Sequence, residues 1–232
     1  IIHGDFETRG TLDLKEVGAD VYTKHPDTDV WCFAWAIDDE EPGLWSPTDA
    51  WWGAYVFNPS TTFAAHNANF ELAVWNNIMV PRYGWPRLDP ERVICTMAMA
   101  YAMALPGSLE NAAAALGLSQ QKDAAGHRLM MQMARPKTDV PLTWWDDYDK
   151  LVALYDYCKQ DVRTEQALYR RLLSLSPSEQ TLWILDHRIN QRGIYIDRPT
   201  VEKAIEVVKL EADRLNDELN KATEGAVGFA TE

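Results

Sequence analysis

Two carboxylates separated by one residue, Asp5 and Glu7, follow an apolar pair at the start of the sequence. In a β-strand, residues i and i+2 point to the same side, so the two charges repel each other at close range. A divalent cation bound by both carboxylates removes that repulsion. The same Asp-x-Glu spacing recurs in segments typical of turns, for example at Asp39 and Glu41. The pair alone therefore leaves open a simple strand end with both side chains in water.

Two later stretches add acidic residues to this pattern. In "HNANFE", a strand ends near Asn67, and Glu71 falls in the first turn of a predicted helix, where its charge also suits the helix dipole. In "YDYCKQD", Tyr157 and Asp161 are four residues apart in a predicted helix and share one face. Each stretch alone is explained without a site, as a helix start or as an exposed pair on a charged helix.

The order and spacing of the motifs carry more information than any one of them. In sequence, "DFE", "NANFE" and "YCKQD" resemble the three exonuclease motifs of the DEDD superfamily, and the tyrosine is similar to that of its DEDDy branch. This resemblance covers roughly residues 1–175. Residues 182–204 look like the segment that joins the exonuclease and polymerase domains of family A DNA polymerases, with phage-type members closest in style. The sequence therefore resembles the proofreading portion of such a polymerase.

The resemblance implies an α/β fold of the ribonuclease H-like kind. Its mixed central sheet has an antiparallel second strand and is flanked by helices. We expect an exonuclease domain over residues 1–175, and a helical extension over 176–232 that is similar to the start of a polymerase domain.

The reaction that the resemblance implies is hydrolysis of the 3′-terminal phosphodiester of single-stranded or frayed DNA, which releases nucleoside 5′-monophosphates. Two divalent cations, Mg²⁺ or Mn²⁺, are the implied cofactors. Asp5, Glu7, Glu71 and Asp161 are the implied metal ligands, and Tyr157 would orient the attacking water. The family more often has Asp at the position of Glu71, whose extra methylene leaves direct or water-mediated ligation open.

An unpaired DNA strand needs contacts beyond the metal ligands, because aromatic stacking and basic side chains usually guide such strands. Lys122, Arg128 and Arg135 come from the most basic stretch of the chain, although ordinary loop charge explains them equally well. The expected DNA contacts are Phe6, Thr8, Asn67, Lys122, Arg128 and Arg135.

Composition narrows the class of protein. The chain has 232 residues, 47% of them hydrophobic, and a formal net charge of −13. This charge argues against a general nucleic-acid-binding module, which usually carries a basic patch, but it is compatible with a nuclease whose carboxylates hold Mg²⁺. The three widely spaced cysteines predict buried free thiols in a reducing compartment. We expect a cytoplasmic protein with no membrane contact, in a bacterial or phage-infected host cell, that is part of a longer chain with a polymerase domain.

Alternating strand and helix patterns position these motifs. Strands are predicted at residues 1–7, 29–38, 61–67 and 92–96. Helices are predicted at 69–79, 108–118, 144–175 and 177–191, with a further apolar stripe over 201–219, and residues 119–141 are predicted to be a loop. "SPSE" at 176–179 is a capping box.

Two other functions remain open on the sequence. An exoribonuclease of the ribonuclease D kind shares the DEDDy motifs, although the polymerase-like tail argues against it. A catalytically inactive exonuclease fold kept as a scaffold is the other, but such domains usually lose acidic ligands, and here all four acidic positions are filled.

Overall fold

The computed structural model describes residues 1–49, 61–118 and 124–230. They form two compact units, Ile1–Gln191 and Arg192–Glu232. The first unit continues past residue 175, because the helix that follows packs on it with a hydrogen bond from Nε2 of Gln180 to the carbonyl of Val93 at 2.9 Å. The predicted end of the exonuclease domain at residue 175 stays a prediction. The assignment of residues 176–232 to the start of a polymerase domain stays a prediction.

The first unit alternates strands and helices. Its strands are β1 (Ile2–Arg9), β2 (Asp29–Ile37), β3 (Gly43–Trp45), β4 (Phe63–Ala65), β5 (Val93–Cys95), β6 (Thr138–Asp139) and β7 (Leu142–Thr143). Its helices are α1 (Leu14–Lys24), α2 (Asn69–Val74), α3 (Val80–Tyr83), α4 (Thr96–Ala102), α5 (Leu109–Ala115), α6 (Ala124–Met133), α7 (Tyr148–Tyr169) and α8 (Pro177–Arg192). A π-helical turn over Trp75–Met79 joins α2 to α3, and a 3₁₀ turn over Pro90–Arg92 precedes β5.

Five strands form the central sheet in the order β3-β2-β1-β4-β5. β2 runs antiparallel to β1, whereas β4 runs parallel to both β1 and β5. The prediction of a mixed sheet with an antiparallel second strand and flanking helices is confirmed, and this arrangement is compatible with a ribonuclease H-like fold.

One face of the sheet packs on aromatic rings. Phe6 of β1 stacks on Phe33 of β2 with ring centroids 4.3 Å apart, and both rings contact Trp75 and Trp85. All four side chains are buried. Burial of aromatic side chains of this size is a dominant source of stability, so this face forms the main core.

The opposite face of the sheet is built from small side chains and is covered by α7. Cys32, Ala34 and Ala36 of β2 are buried there against Cys158 and Val162 of α7. Short side chains under a helix let its backbone approach the sheet closely. This small-residue floor therefore brings the side chains of α7 within reach of those of β1.

The prediction of a loop over residues 119–141 is wrong for its described part. α6 and β6 lie in this range, and β6 pairs with β7 just after it. Leu129, Met130 and Met133 of α6 pack in a cluster with Trp31 and Leu154, and this tertiary contact fixes a helix that the basic, glycine-containing sequence did not predict. α1 was likewise not predicted.

The predicted helix over residues 69–79 and the predicted helix over 144–175 both need correction at their ends. The first changes from α to π geometry at Trp75, where the N–H of Val80 donates to the carbonyl of Trp75. Pro81 follows and has no N–H to donate back into a regular helix. The second begins only at Tyr148, because Asp147 before it has extended backbone.

The predicted capping box of α8 is confirmed. The N–H of Ser176 donates to Oε2 of Glu179 at 2.8 Å, and the N–H of Glu179 donates to Oγ of Ser176 at 3.3 Å. The helix ends before Gly193, whose φ of 70° lies in the left-handed region that suits glycine.

The second unit contains α9 (Arg198–Ala222), which begins after the N-cap Asp197. Its apolar stripe includes Val201, Ile205, Val208 and Leu215, whose side chains are exposed. None of the helices in the described ranges has the length and apolar character needed to cross a membrane.

Candidate active site

β1 presents Asp5 and Glu7 to α7. In the register of the sheet, Asp5 lies opposite Ala34 and Glu7 lies opposite Cys32, so both carboxylates are on the side of the small-residue floor. Cys158 of α7 meets them there, with its Sγ 3.4 Å from the backbone oxygen of Asp5.

Successive turns of α7 carry Tyr157, Asp161 and Glu165 toward the same strand. Their four-residue spacing places them on one helix face, and all three side chains are buried. Glu165 pairs with His3 of β1, whose Nδ1 lies 2.5 Å from Oε2 of Glu165. The sequence analysis assigned no role to Glu165 and so missed this buried pair. The available signal was His3, which lies two residues before Asp5 and therefore on the same face of the strand.

Glu71 reaches the site from the turn between β4 and α2. Asn67 has a φ of 65°, in the left-handed region that Asn tolerates better than most residues. The chain reverses there, and the N–H of Phe70 donates to the carbonyl of Asn67 at 2.9 Å. This turn starts α2 so that Glu71 is almost fully buried, at 3% exposure.

These elements enclose a cavity of about 440 Å³. Its lining includes all five residues that the sequence analysis assigned to catalysis, namely Asp5, Glu7, Glu71, Tyr157 and Asp161. Asp5 and Asp161 thus line one cavity although they are 156 positions apart in the sequence.

The predicted DNA contacts are divided by the structure. Thr8, Asn67 and Arg135 line the cavity, whereas Arg128 is exposed and is not part of the lining. Phe6 borders the cavity, but its ring is buried in the aromatic core. Lys122 lies outside the described residues.

The guanidinium of Arg135 pairs with the carboxylate of Asp13, and both residues line the cavity. Asp13 is the N-cap of α1 and also accepts a hydrogen bond from the N–H of Lys15. These bonds hold the pKa of Asp13 below its usual range, with the backbone bond as the largest cause. The sequence analysis missed this wall because it did not predict α1.

Apolar side chains form another part of the cavity wall. They come from the segment before α1, from α1 itself, from α2 and from α6, and are Leu12, Leu14, Phe70, Met130 and Met131. The cavity therefore has carboxylates in one part of its lining and an apolar side formed by these residues.

Burial makes the carboxyl of Glu71 hard to ionise. Loss of solvation raises its pKa well above the usual range, and the charges of Asp5 and Glu165 raise it further. Its Oε2 is buried and has no hydrogen-bond partner within the described ranges. A cation in the cavity would offset both costs.

Tyr157 keeps its proton in this environment. Burial raises the pKa of its hydroxyl, and the neighbouring carboxylates of Asp161 and Glu7 raise it further. The hydroxyl is thus a hydrogen-bond donor rather than a base.

Asp5, Glu7 and Cys158 form a possible metal-binding group, because their ligand atoms all lie within 4.8 Å of one another. The sequence analysis expected the three cysteines to be buried free thiols, and all three are free and buried. It missed the position of Cys158 beside the acidic pair. The available signal was that Cys158 directly follows Tyr157 on the same helix.

Comparison with known proteins adds one relative. The chain is 33% identical over 220 residues to the DNA polymerase of Bacillus phage SP02, an alignment that covers 87% of this chain. The chain spans about a third of that relative, 32% of its length. No family model matches the sequence. The similarity supports a polymerase-related domain.

Proposed function

We propose that this chain is the proofreading 3′–5′ exonuclease part of a family A DNA polymerase and belongs to the DEDDy branch. The observation that carries the proposal is the meeting of Asp5, Glu7, Glu71, Tyr157 and Asp161 in one cavity. The similarity to a phage polymerase supports the polymerase context, and with it a role in the cytoplasm of a bacterial or phage-infected cell.

The cavity fits divalent cations. Glu71 has a buried oxygen without a hydrogen-bond partner in the described part of the chain, and Asp5 and Glu7 line the same cavity. Asp5, Glu7, Glu71 and Asp161 would hold the cations through carboxylate oxygens, the ligands that Mg²⁺ and Mn²⁺ prefer. When bound, two such ions supply a water activated for attack and charge neutralisation at the leaving oxygen.

The protein's own contribution is positioning. Tyr157 retains its proton and lines the cavity together with Asp161, so its hydroxyl can donate to the attacking water and orient it. Holding reactants in one geometry is a large share of catalysis in general.

The apolar side of the cavity suits the base of the terminal nucleotide. Its volume of about 440 Å³ is in the range of sites for small organic ligands. Phe70, Met130 and Met131 lie on this side and would contact the base without reading its hydrogen-bonding edge. This predicts removal of any 3′-terminal nucleotide, as proofreading requires.

A time course on 5′-labelled single-stranded DNA with Mg²⁺ tests the proposal. We expect a ladder of shortened products, no product with EDTA, and no product from the double variant D5A/E7A. The matched control is D39A/E41A, because it removes an Asp-x-Glu pair whose side chains are largely exposed. Cleavage by D5A/E7A at the rate of the wild type would contradict the proposal. Faster cleavage of a matched RNA strand would favour the exoribonuclease instead.

A further inference from the structure

Cys158 places a sulfur atom directly beside the acidic pair. Its Sγ lies 3.6 Å from Oδ2 of Asp5, and its side chain is fully buried at 0% exposure. The proposed nuclease mechanism uses only oxygen ligands and assigns this thiol no role.

The spacing of these atoms matches one edge of a tetrahedral metal site. With zinc–sulfur bonds of about 2.3 Å and zinc–oxygen bonds of about 2.0–2.2 Å at the tetrahedral angle, sulfur and oxygen lie about 3.5–3.7 Å apart. The distance from Sγ of Cys158 to Oδ2 of Asp5 is 3.6 Å. Glu7 adds a third ligand atom within 4.8 Å of the other two.

Glu71 supports a cation in the cavity that Asp5 and Glu7 line. The side chain of Glu71 is only 3% exposed. Its Oε2 has no hydrogen-bond partner among residues 1–49, 61–118 and 124–230. An unpartnered buried carboxylate oxygen is costly, and ligation removes that cost.

We propose that Asp5, Glu7 and Cys158 form a mixed carboxylate–thiolate site that binds a thiophilic divalent cation, Zn²⁺ in the cell, in competition with Mg²⁺. Thiolate ligands favour Zn²⁺ and Cd²⁺, whereas Mg²⁺ takes oxygen ligands. The sulfur binds as the thiolate, and its proton passes to solvent as the metal–sulfur bond forms. Binding of the thiophilic cation needs only these side chains. By displacing Mg²⁺ the cation would also inhibit the nuclease, and that effect rests on the proposed function.

Titration with Cd²⁺ tests the site directly, because a thiolate bound to Cd²⁺ gives an ultraviolet charge-transfer band that a carboxylate does not. We expect the band in metal-free wild type, its loss in C158A, and its retention in C95A, which removes a buried cysteine outside the group. C32A should also retain the band, which distinguishes the site from a Cys32–Cys158 thiolate pair. D5N should weaken Cd²⁺ binding by about tenfold or more.

Competition in the wild type needs no variant. Excess Mg²⁺ should raise the Cd²⁺ concentration at half-saturation of the band, because both ions occupy Asp5 and Glu7. Circular dichroism checks the fold of each variant, and C158S replaces C158A if the alanine variant does not fold.

Three outcomes would overturn the inference. They are the absence of a band in the wild type, a band of full intensity in C158A or C158S, and Cd²⁺ binding that neither D5N nor Mg²⁺ changes. Failure of the proposed function looks different: the band would form as expected, while the Mg²⁺-loaded protein would leave DNA intact.

Discussion

The two faces of β1 differ in both chemistry and side-chain size. Phe6 points to a face where it stacks on Phe33 at 4.3 Å, whereas its neighbours Asp5 and Glu7 point to a face that small side chains and α7 cover. The aromatic face buries the large apolar area that stabilises a fold. The acidic face gathers carboxylates that destabilise it. One strand thus separates the residues that stabilise the molecule from those that give it a site.

The largest effect that tests this division is expected on the aromatic face. F6A should lower the free energy of unfolding by about 3–5 kcal/mol, because it leaves a cavity among packed rings. Denaturant unfolding monitored by circular dichroism measures the change. The control F229A removes a phenylalanine that is 58% exposed and should change stability little. Equal losses for the two variants would contradict the division.

On the acidic face, Y157F should lower kcat on single-stranded DNA by about a hundredfold, because the attacking water loses the group that orients it. KM and the unfolding midpoint should change little, since the ring and its packing remain. Y148F, on the same helix but 78% exposed, should behave as the wild type. A rise in KM without a fall in kcat would show that Tyr157 binds DNA rather than orients water.

The charge on Glu71 should cost stability when no cation is present. Its pKa is raised in the folded protein by burial and by Asp5, so its contribution to stability is present below its unfolded pKa and is lost as the pH rises through the folded pKa. In EDTA, E71Q should therefore gain stability relative to the wild type as the pH rises above the usual range of a glutamate pKa.

Thermal unfolding in EDTA and in Mg²⁺ measures this difference. Mg²⁺ should reduce it, because the cation stabilises the ionised carboxylate of the wild type. E110Q, which changes an exposed glutamate in the first turn of α5, should show neither effect. A wild type that gains stability over E71Q as the pH rises in EDTA would show that Glu71 ionises readily without metal.

The smallest expected effect concerns the Asp13–Arg135 pair in the cavity lining. D13N should raise the affinity for single-stranded DNA roughly threefold, because the guanidinium of Arg135 is then available to a DNA phosphate. R135Q should lower the affinity and also reduce its dependence on salt concentration. Fluorescence anisotropy at several salt concentrations measures both. R128Q, whose side chain lies outside the cavity lining, serves as the control; the same loss in R128Q would mean that only overall charge matters.

The sequence predicted the parts of the site that follow from regular spacing. Residues two apart on a strand and four apart on a helix share a face, which placed Asp5 with Glu7 and Tyr157 with Asp161. The same alternation also places the ring of Phe6 on the opposite face, which argues against the ring as a DNA contact.

The remaining features depend on contacts between distant segments. Cys158 lies beside Asp5 because β2 has small residues beneath α7, and no local pattern reports that packing. α6 forms against Trp31 and Leu154, which lie far from it in the sequence. Such long-range contacts decide the elements that local propensity leaves open.

The small-residue floor has a consequence for how this site can vary. Ala34 and Ala36 are fully or almost fully buried between β2 and α7, and they touch neither DNA nor cation in the proposed mechanism. A larger side chain there would push α7 outward and separate Asp161 from Asp5, although every ligand would still be encoded. Loss of nuclease activity in a relative can therefore arise from added volume beneath a helix, in a sequence whose acidic motifs are all intact.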